Sequence, residues 1–210
     1  MSDKIARMKT ILPNYDRVNL VNDQDEIIAS ADKLEAHLGN ALLHQAISLF
    51  LFKKNKLGGF DLLIQKRSQE KIVAAGEWGN TVCGNVAVGE NHQQCLWRRL
   101  REELGINFPK NIYQQAKELA VINYHVACNQ KYSEREIDHI FALFLNDQEV
   151  TDFKIKLNPS EVSELTWVKW SELKQKTHIA GLKFAPWVKI FLNNTQLIKA
   201  IDHYLENLAI

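Results

Sequence analysis

Apolar positions along this chain follow two rhythms, one of strands and one of helices. Between Arg17 and Ala29 (RVNLVNDQDEIIA) two short runs flank an Asn-Asp-Gln-Asp turn, which predicts a hairpin. Leu42 to Lys53 (LLHQAISLFLFK) is apolar almost throughout and predicts a buried strand. A Lys-Asn-Lys-Leu-Gly-Gly turn and a second strand, Phe60 to Arg67, follow it. From Glu90 to Glu103 there is neither Pro nor Gly, and Leu96 and Leu100 lie four apart. That predicts a helix of about four turns with one buried face, stopped at Gly105. Lys117 to Val126 and Glu136 to Leu145 predict further strands. Thr166 to Lys169 predicts another, followed by a helix from near Ser171. Phe184 to Leu208 predicts a C-terminal helix, with Pro186 tolerated in its first turn. Strands and helices alternate irregularly, so the expected class is α+β, a mixed sheet flanked by helices.

Length and composition narrow this modestly. At 210 residues the chain suits a single domain over 1–210, with an N-terminal extension over about 1–16 and the C-terminal helix over about 184–208. A net charge of +1 gives no bulk argument for nucleic-acid or membrane partners. No apolar run approaches the roughly 20 residues of a membrane span. Lys4, Arg7 and Lys9 precede no apolar core, so a secretory signal is not expected. Cys83, Cys95 and Cys128 are odd in number and lack zinc-like spacing, which points to a reducing, cytoplasmic compartment.

The chemistry concentrates between Gly84 and Ile106. The segment reads G-N-V-A-V-G-E, seven residues, then R-R-L-R-E-E-L-G-I. It resembles the Nudix box, a loop-helix-loop that holds a divalent cation against a diphosphate. One position departs from the hydrolase pattern: Arg99 stands where a Glu is usual. Glu103, four residues on, projects from the same side and is a carboxylate suited to a hard cation. A guanidinium at Arg99 would instead fork onto phosphate oxygens.

Just before the helix lies Asn80-Thr81-Val82-Cys83-Gly84. Here the resemblance sharpens to the type I isopentenyl diphosphate isomerases, and it extends over roughly Arg17 to Ile190. In that family a Cys in a similar segment is an acid/base catalyst, so Cys83 is implied to be one. A thiol near cations can exist as thiolate at neutral pH. Cys95 and Cys128 match nothing catalytic and are read as small buried hydrophobes. The resemblance implies a metal site of His37, His44, Glu134 and Glu136. Glu134 and Glu136, two apart on a strand, would point to one face. The family's remaining ligand is a His at the position of Asn85, and an amide oxygen is a poor substitute for imidazole on zinc. His92, His139, His178 and His203 are read as surface or packing residues.

The same resemblance implies that Arg67, Lys71 and Arg99 hold the diphosphate, that Tyr124 assists proton delivery by Glu136, and that Trp187 faces the reacting carbons. Mg²⁺ would accompany the diphosphate, held by Glu103 and the Cys83 carbonyl. A second divalent metal, Mn²⁺ or Zn²⁺, would occupy the His/Glu site. The implied activity interconverts isopentenyl and dimethylallyl diphosphate through a tertiary carbocation, in isoprenoid biosynthesis, with a small prenyl diphosphate as partner. A monomer or weak homodimer is expected. Two alternatives stay open: a Nudix hydrolase, which would need the box carboxylate that Arg99 replaces, and a divergent isomerase-like protein behind Asn85. Ala74-Ala75-Gly76 also departs from the family's aromatic-Pro-Gly segment.

Overall fold

The structure is a computed structural model of the chain, described here for residues 13–175 and 181–208. Lys4, Arg7, Lys9 and His178 lie outside the described residues. In chain order the strands are β1 (Asn14–Val21), β2 (Ile27–Asp32), β3 (His44–Lys54), β4 (Phe60–Arg67), β5 (Trp78–Gly79), β6 (Val82–Asn85), β7 (Ala87–Val88), β8 (Lys117–Ala127), β9 (Ser133–Leu145) and β10 (Val162–Lys169). The helices are α1 (Lys33–Ala36), α2 (His92–Leu104), α3 (Lys110–Tyr113), α4 (Asp147–Asp152), α5 (Trp170–Lys174), α6 (Pro186–Asn193) and α7 (Thr195–Glu206). The α+β expectation holds: one mixed sheet carries helices on both faces.

β3 is the axis of that sheet. It pairs in parallel with β9 over ten residues, from His44 opposite Glu136 to Lys53 opposite Leu145. On its other edge it changes partner, meeting β6 from Ala46 to Leu49 and β4 from Leu51 to Lys54. Parallel strands need both faces covered, which is why β3 is apolar nearly throughout. Phe50 and Phe52 face one core with Trp187 and Phe191 of α6 and Ile201 of α7. Ile47, Leu49 and Leu51 face a second core with Leu96, Leu100 and Leu104 of α2. Alternation along one strand thus divides the interior into two layers.

The helix α2 follows its sequence closely. Asn91 and Gln94 form a reciprocal capping box at its start. Gly105 ends it in a left-handed turn, φ 66°, where a Cβ would also lie 2.6 Å from the Lys156 carbonyl oxygen.

Two expectations change. The segment 184–208 is two helices, because Asn194 takes an extended conformation and caps α7 through Gln196 N and Leu197 N. Residues 14–16 of the expected extension belong to the sheet, since β1 begins at Asn14 and pairs with β7 there. No described helix is long and apolar enough to cross a membrane.

Candidate active site

Strand register assembles the site. Glu136 lies opposite His44 on β3 and opposite Tyr124 on β8, so three polar side chains from three strands form a row. Ser48 pairs with Cys83, and Ala46 with Asn85, which brings β6 against the same stretch of β3. Asn80 and Thr81 fix the entry to β6. Thr81 Oγ1 donates to the Leu63 carbonyl and accepts from Leu51 N, while Asn80 Nδ2 donates to the Leu49 and Val82 carbonyls. His37 follows α1, whose N-cap Asp32 accepts from Leu34 N and Glu35 N. A cavity of about 580 Å³ opens over these elements and is lined by Cys83, Asn85, Tyr124, Glu134, Glu136 and Trp187, with His37 and several cations at its wall.

One wall converges on a point. Ligand atoms of His37, His44, Glu134 and Glu136 all lie within 4.8 Å of one another, and all four residues are buried. Each imidazole is oriented from behind: His37 Nδ1 lies 2.6 Å from the Lys33 carbonyl and His44 Nδ1 2.7 Å from that of Leu42. Those contacts put the proton on Nδ1 and leave Nε2 for the cluster. His37 Nε2 pairs with Glu134 Oε2 at 3.0 Å, and that buried oxygen has no other contact to satisfy it. Two imidazoles, two carboxylates and a buried acceptor without a hydrogen bond fit a divalent cation. Burial and the neighbouring Glu136 push Glu134 upward. Burial acts the same way on Glu136, but hydrogen bonding and charge from His44, with the Tyr124 hydroxyl, hold it below the ordinary value. Tyr124 donates to Glu136 Oε2, and burial together with the Glu136 charge raises its own pKa well above 10.

Asn85 reaches this cluster. Its Nδ2 donates to His44 Nε2 and to Glu136 Oε1, each at 3.0 Å. The amide thus presents its donor, not its oxygen, where the resemblance placed a ligand. A rotated amide would reverse this.

The other wall is cationic and already neutralised. The Arg99 guanidinium reaches Glu103 Oε1 at 2.6 and 2.9 Å, Glu102 at 2.9 Å and Glu161 at 2.8 Å. Lys71 Nζ also meets Glu161, at 2.7 Å. Arg99 and Lys71 therefore answer to carboxylates, where phosphate oxygens were expected. Gly84 permits this packing, since a Cβ there would stand 2.8 Å from the Arg99 stem. Glu103 Oε2 accepts from Gln65 Nε2 at 2.6 Å, so both its oxygens are engaged and it fits a metal only if those donors move. Arg98 closes the box by gripping Glu90 at 2.8 Å through two nitrogens.

Burial pushes the Cys83 thiol up to about 12, outweighing the Arg67 charge that pulls it down. Arg67 Nη1 donates to Sγ at 4.0 Å, a long contact that offsets only part of the loss of water. Arg67 also stacks its guanidinium 5.0 Å from the centre of the Trp187 ring. The indole of Trp187 is fixed by donating to Asn80 Oδ1 at 3.2 Å.

Sequence reasoning missed Glu161, which joins Lys71 to Arg99. It precedes β10 in an ordinary polar turn and carries no motif. Lys33 was also missed. It stands at the cavity rim, exposed by area yet ringed by protein; that desolvation and the charges of Arg99 and Lys71 lower its pKa. Asp138 is a third: fully buried, it accepts from Ser48 Oγ at 2.8 Å and is raised by burial and by Glu136. Ile72 and Val73, beside the divergent Ala74-Ala75-Gly76, line the cavity.

Comparison with known proteins places the chain in a family. The NUDIX domain family matches residues 42–188. A Deinococcus radiodurans crystal structure is similar in fold, with a TM-score of 0.59 at 20% identity, over 84% of this chain and 97% of that one. The fold and box define a Nudix-type domain. Among proteins of that type, an isopentenyl-diphosphate Delta-isomerase of Aliivibrio fischeri (strain MJ11) is 38% identical over 74% of this chain and 80% of its own. One from Enterobacter sp. (strain 638) is 32% identical over 91% and 96%. One from Ruegeria pomeroyi is 31% identical over 81% and 86%. The chain belongs to the isopentenyl-diphosphate Delta-isomerase family of Nudix proteins.

Proposed function

We propose that the protein interconverts isopentenyl and dimethylallyl diphosphate, and that Cys83 and the Glu136–Tyr124 pair carry the two proton transfers. The observation behind this reading is that one cavity is lined by both proton-handling groups and by four cations, Lys33, Arg67, Lys71 and Arg99. An allylic isomerisation adds a proton to one carbon and removes one from another, so it needs two such groups. A hydrolase needs a carboxylate cluster in the box itself, and here Arg99 occupies Glu102 and Glu103.

The diphosphate is the handle. Lys33, Lys71 and Arg99 lie where they can take its charge, and that binding energy holds the short carbon chain against Trp187. Tyr124 keeps its proton on the Glu136 carboxylate, ready for relay to an alkene carbon. Cys83 handles the proton on the other reacting carbon. A protonated thiol with an ionised Glu136 is one of the two half-states a reversible shuttle must visit. The π face of Trp187 can stabilise the carbocation, by roughly 2 kcal/mol when desolvated. Arg67 already sits over that ring and must share or yield the face. A divalent ion held by His37, His44, Glu134 and Glu136 would balance the carboxylate charge and set the acidity of Glu136 and Tyr124. Two imidazoles and two carboxylates are a donor set that suits Mn²⁺ or Zn²⁺. Mg²⁺ is the ion to accompany the diphosphate.

Proton NMR of the protein with isopentenyl diphosphate, Mg²⁺ and Mn²⁺ in D₂O tests the reading. Dimethylallyl diphosphate carrying deuterium is the expected product. Release of phosphate without isomerisation would overturn the assignment.

A further inference from the structure

β9 turns its odd-numbered residues away from the cavity, and one of them is a histidine. His139 is 7% exposed and belongs to neither the catalytic row nor the cation wall. Its Nε2 lies 2.8 Å from Asp25 Oδ2 and its Nδ1 3.0 Å from Glu118 Oε1. His92, the first residue of α2, stacks on it with ring centroids 3.6 Å apart. Ligand atoms of Asp25, His92 and His139 lie within 4.8 Å of one another. Four separate pieces of the chain meet here: the β1–β2 turn, the start of α2, β8 and β9.

The surroundings are arranged as metal sites are. Gln45 Nε2 donates to Asp25 Oδ1 at 3.0 Å, which orients the carboxylate and leaves Oδ2 facing the histidines. Glu118 takes Nδ1 of His139, and a carboxylate on the far nitrogen is what fixes an imidazole to present Nε2 to an ion. Asp25 holds a left-handed backbone, φ 62°, to reach this position. Both ring nitrogens of His139 face carboxylate oxygens, and Asp25 Oδ2 converges with His92 on the same point.

We propose that Asp25, His92 and His139 bind a divalent transition-metal ion of the Zn²⁺ type, with Glu118 as the outer partner of His139. Mixed imidazole and carboxylate donors suit such ions better than Mg²⁺, which prefers oxygen and water. The ion would staple the β1–β2 turn to the N-terminus of α2. It is separate from the His37/His44/Glu134/Glu136 cluster and does not depend on the reading of that cluster.

The test is Zn²⁺ stoichiometry on the full chain after chelator treatment, by equilibrium dialysis with elemental analysis. His92 is half-exposed and Asp25 lies in a turn, so His92→Ala and Asp25→Asn spare the buried core. Each should bind one equivalent less than the unsubstituted protein, lose the rise in Tm that Zn²⁺ causes through this site, and retain isomerisation. Glu134→Gln/Glu136→Gln should still bind one equivalent, which His92→Ala added to it removes. Unchanged stoichiometry in both His92→Ala and Asp25→Asn would overturn the proposal, as would no Zn²⁺ bound to folded Glu134→Gln/Glu136→Gln.

Discussion

The two walls of the cavity solve opposite electrostatic problems. On the β3–β9 wall, two buried carboxylates crowd each other and Glu134 Oε2 meets nothing but His37 Nε2. On the α2 wall, every charge of Arg99 is met by Glu102, Glu103 or Glu161. The first wall is unsatisfied by its own residues and gains from a cation. The second is satisfied, and a diphosphate must compete with Glu161 for Lys71 and Arg99. One wall is thus built to recruit a ligand, the other to release one.

The comparison breaks most completely if the chemistry between the walls is removed. Cys83→Ala should reduce isomerisation by roughly 10²–10⁴-fold while leaving metal stoichiometry unchanged. Retained turnover in the D₂O assay would show that Cys83 is not the second proton group. Next in size is the self-satisfied wall. Arg99→Met leaves buried Glu103 without its main partner and should cost roughly 3–5 kcal/mol in urea denaturation. A cost below 1 kcal/mol would mean that the network is as weak as a surface one.

Glu161 sharpens the same point through pH. Arg99 and Lys71 hold it at about 2, against 4.5 for an ordinary carboxylate, despite its partial burial. A depressed carboxylate stabilises the fold above its unfolded pKa and loses that contribution as pH falls through the folded one. Glu161→Gln should therefore be less stable by up to about 3 kcal/mol near neutrality, and the gap should close between pH 4.5 and 2. A gap that is constant with pH would assign the loss to packing. The smallest effect belongs to the unsatisfied wall. Asn85→His should tighten Zn²⁺ binding there by about tenfold, read by competition with a chelating dye. Unchanged affinity would place residue 85 outside the coordination sphere.

Local physics made part of this legible in the sequence. α2 could be read from Leu96, Leu100 and Gly105, because a helix closes its hydrogen bonds within itself. The strands from Phe60 to Arg67 and near Lys117 to Val126 matched within a residue or so for a similar reason of patterning. The Glu134–Glu136 pair was readable as one face of a strand, but β9 begins earlier than Glu136, at Ser133. What could not be read was register. Nothing local says that His44 lies opposite Glu136, or that Tyr124 flanks it. Glu161 and Lys33 were missed because their partners are far away in the chain. The break at Asn194 was missed because a single capping residue barely disturbs an apolar pattern.

The parallel pairing of β3 with β9 has a consequence for how the chain is made. Ser48 and Asp138, bonded across that pair, are 90 residues apart in sequence. During synthesis the most apolar strand emerges long before its partner, and contacts of such separation form slowly. Until β9 docks, β3 presents bare apolar edges to its surroundings. The row of Glu136 and His44 therefore exists only after the two distant strands have paired, so the candidate site is completed late in assembly.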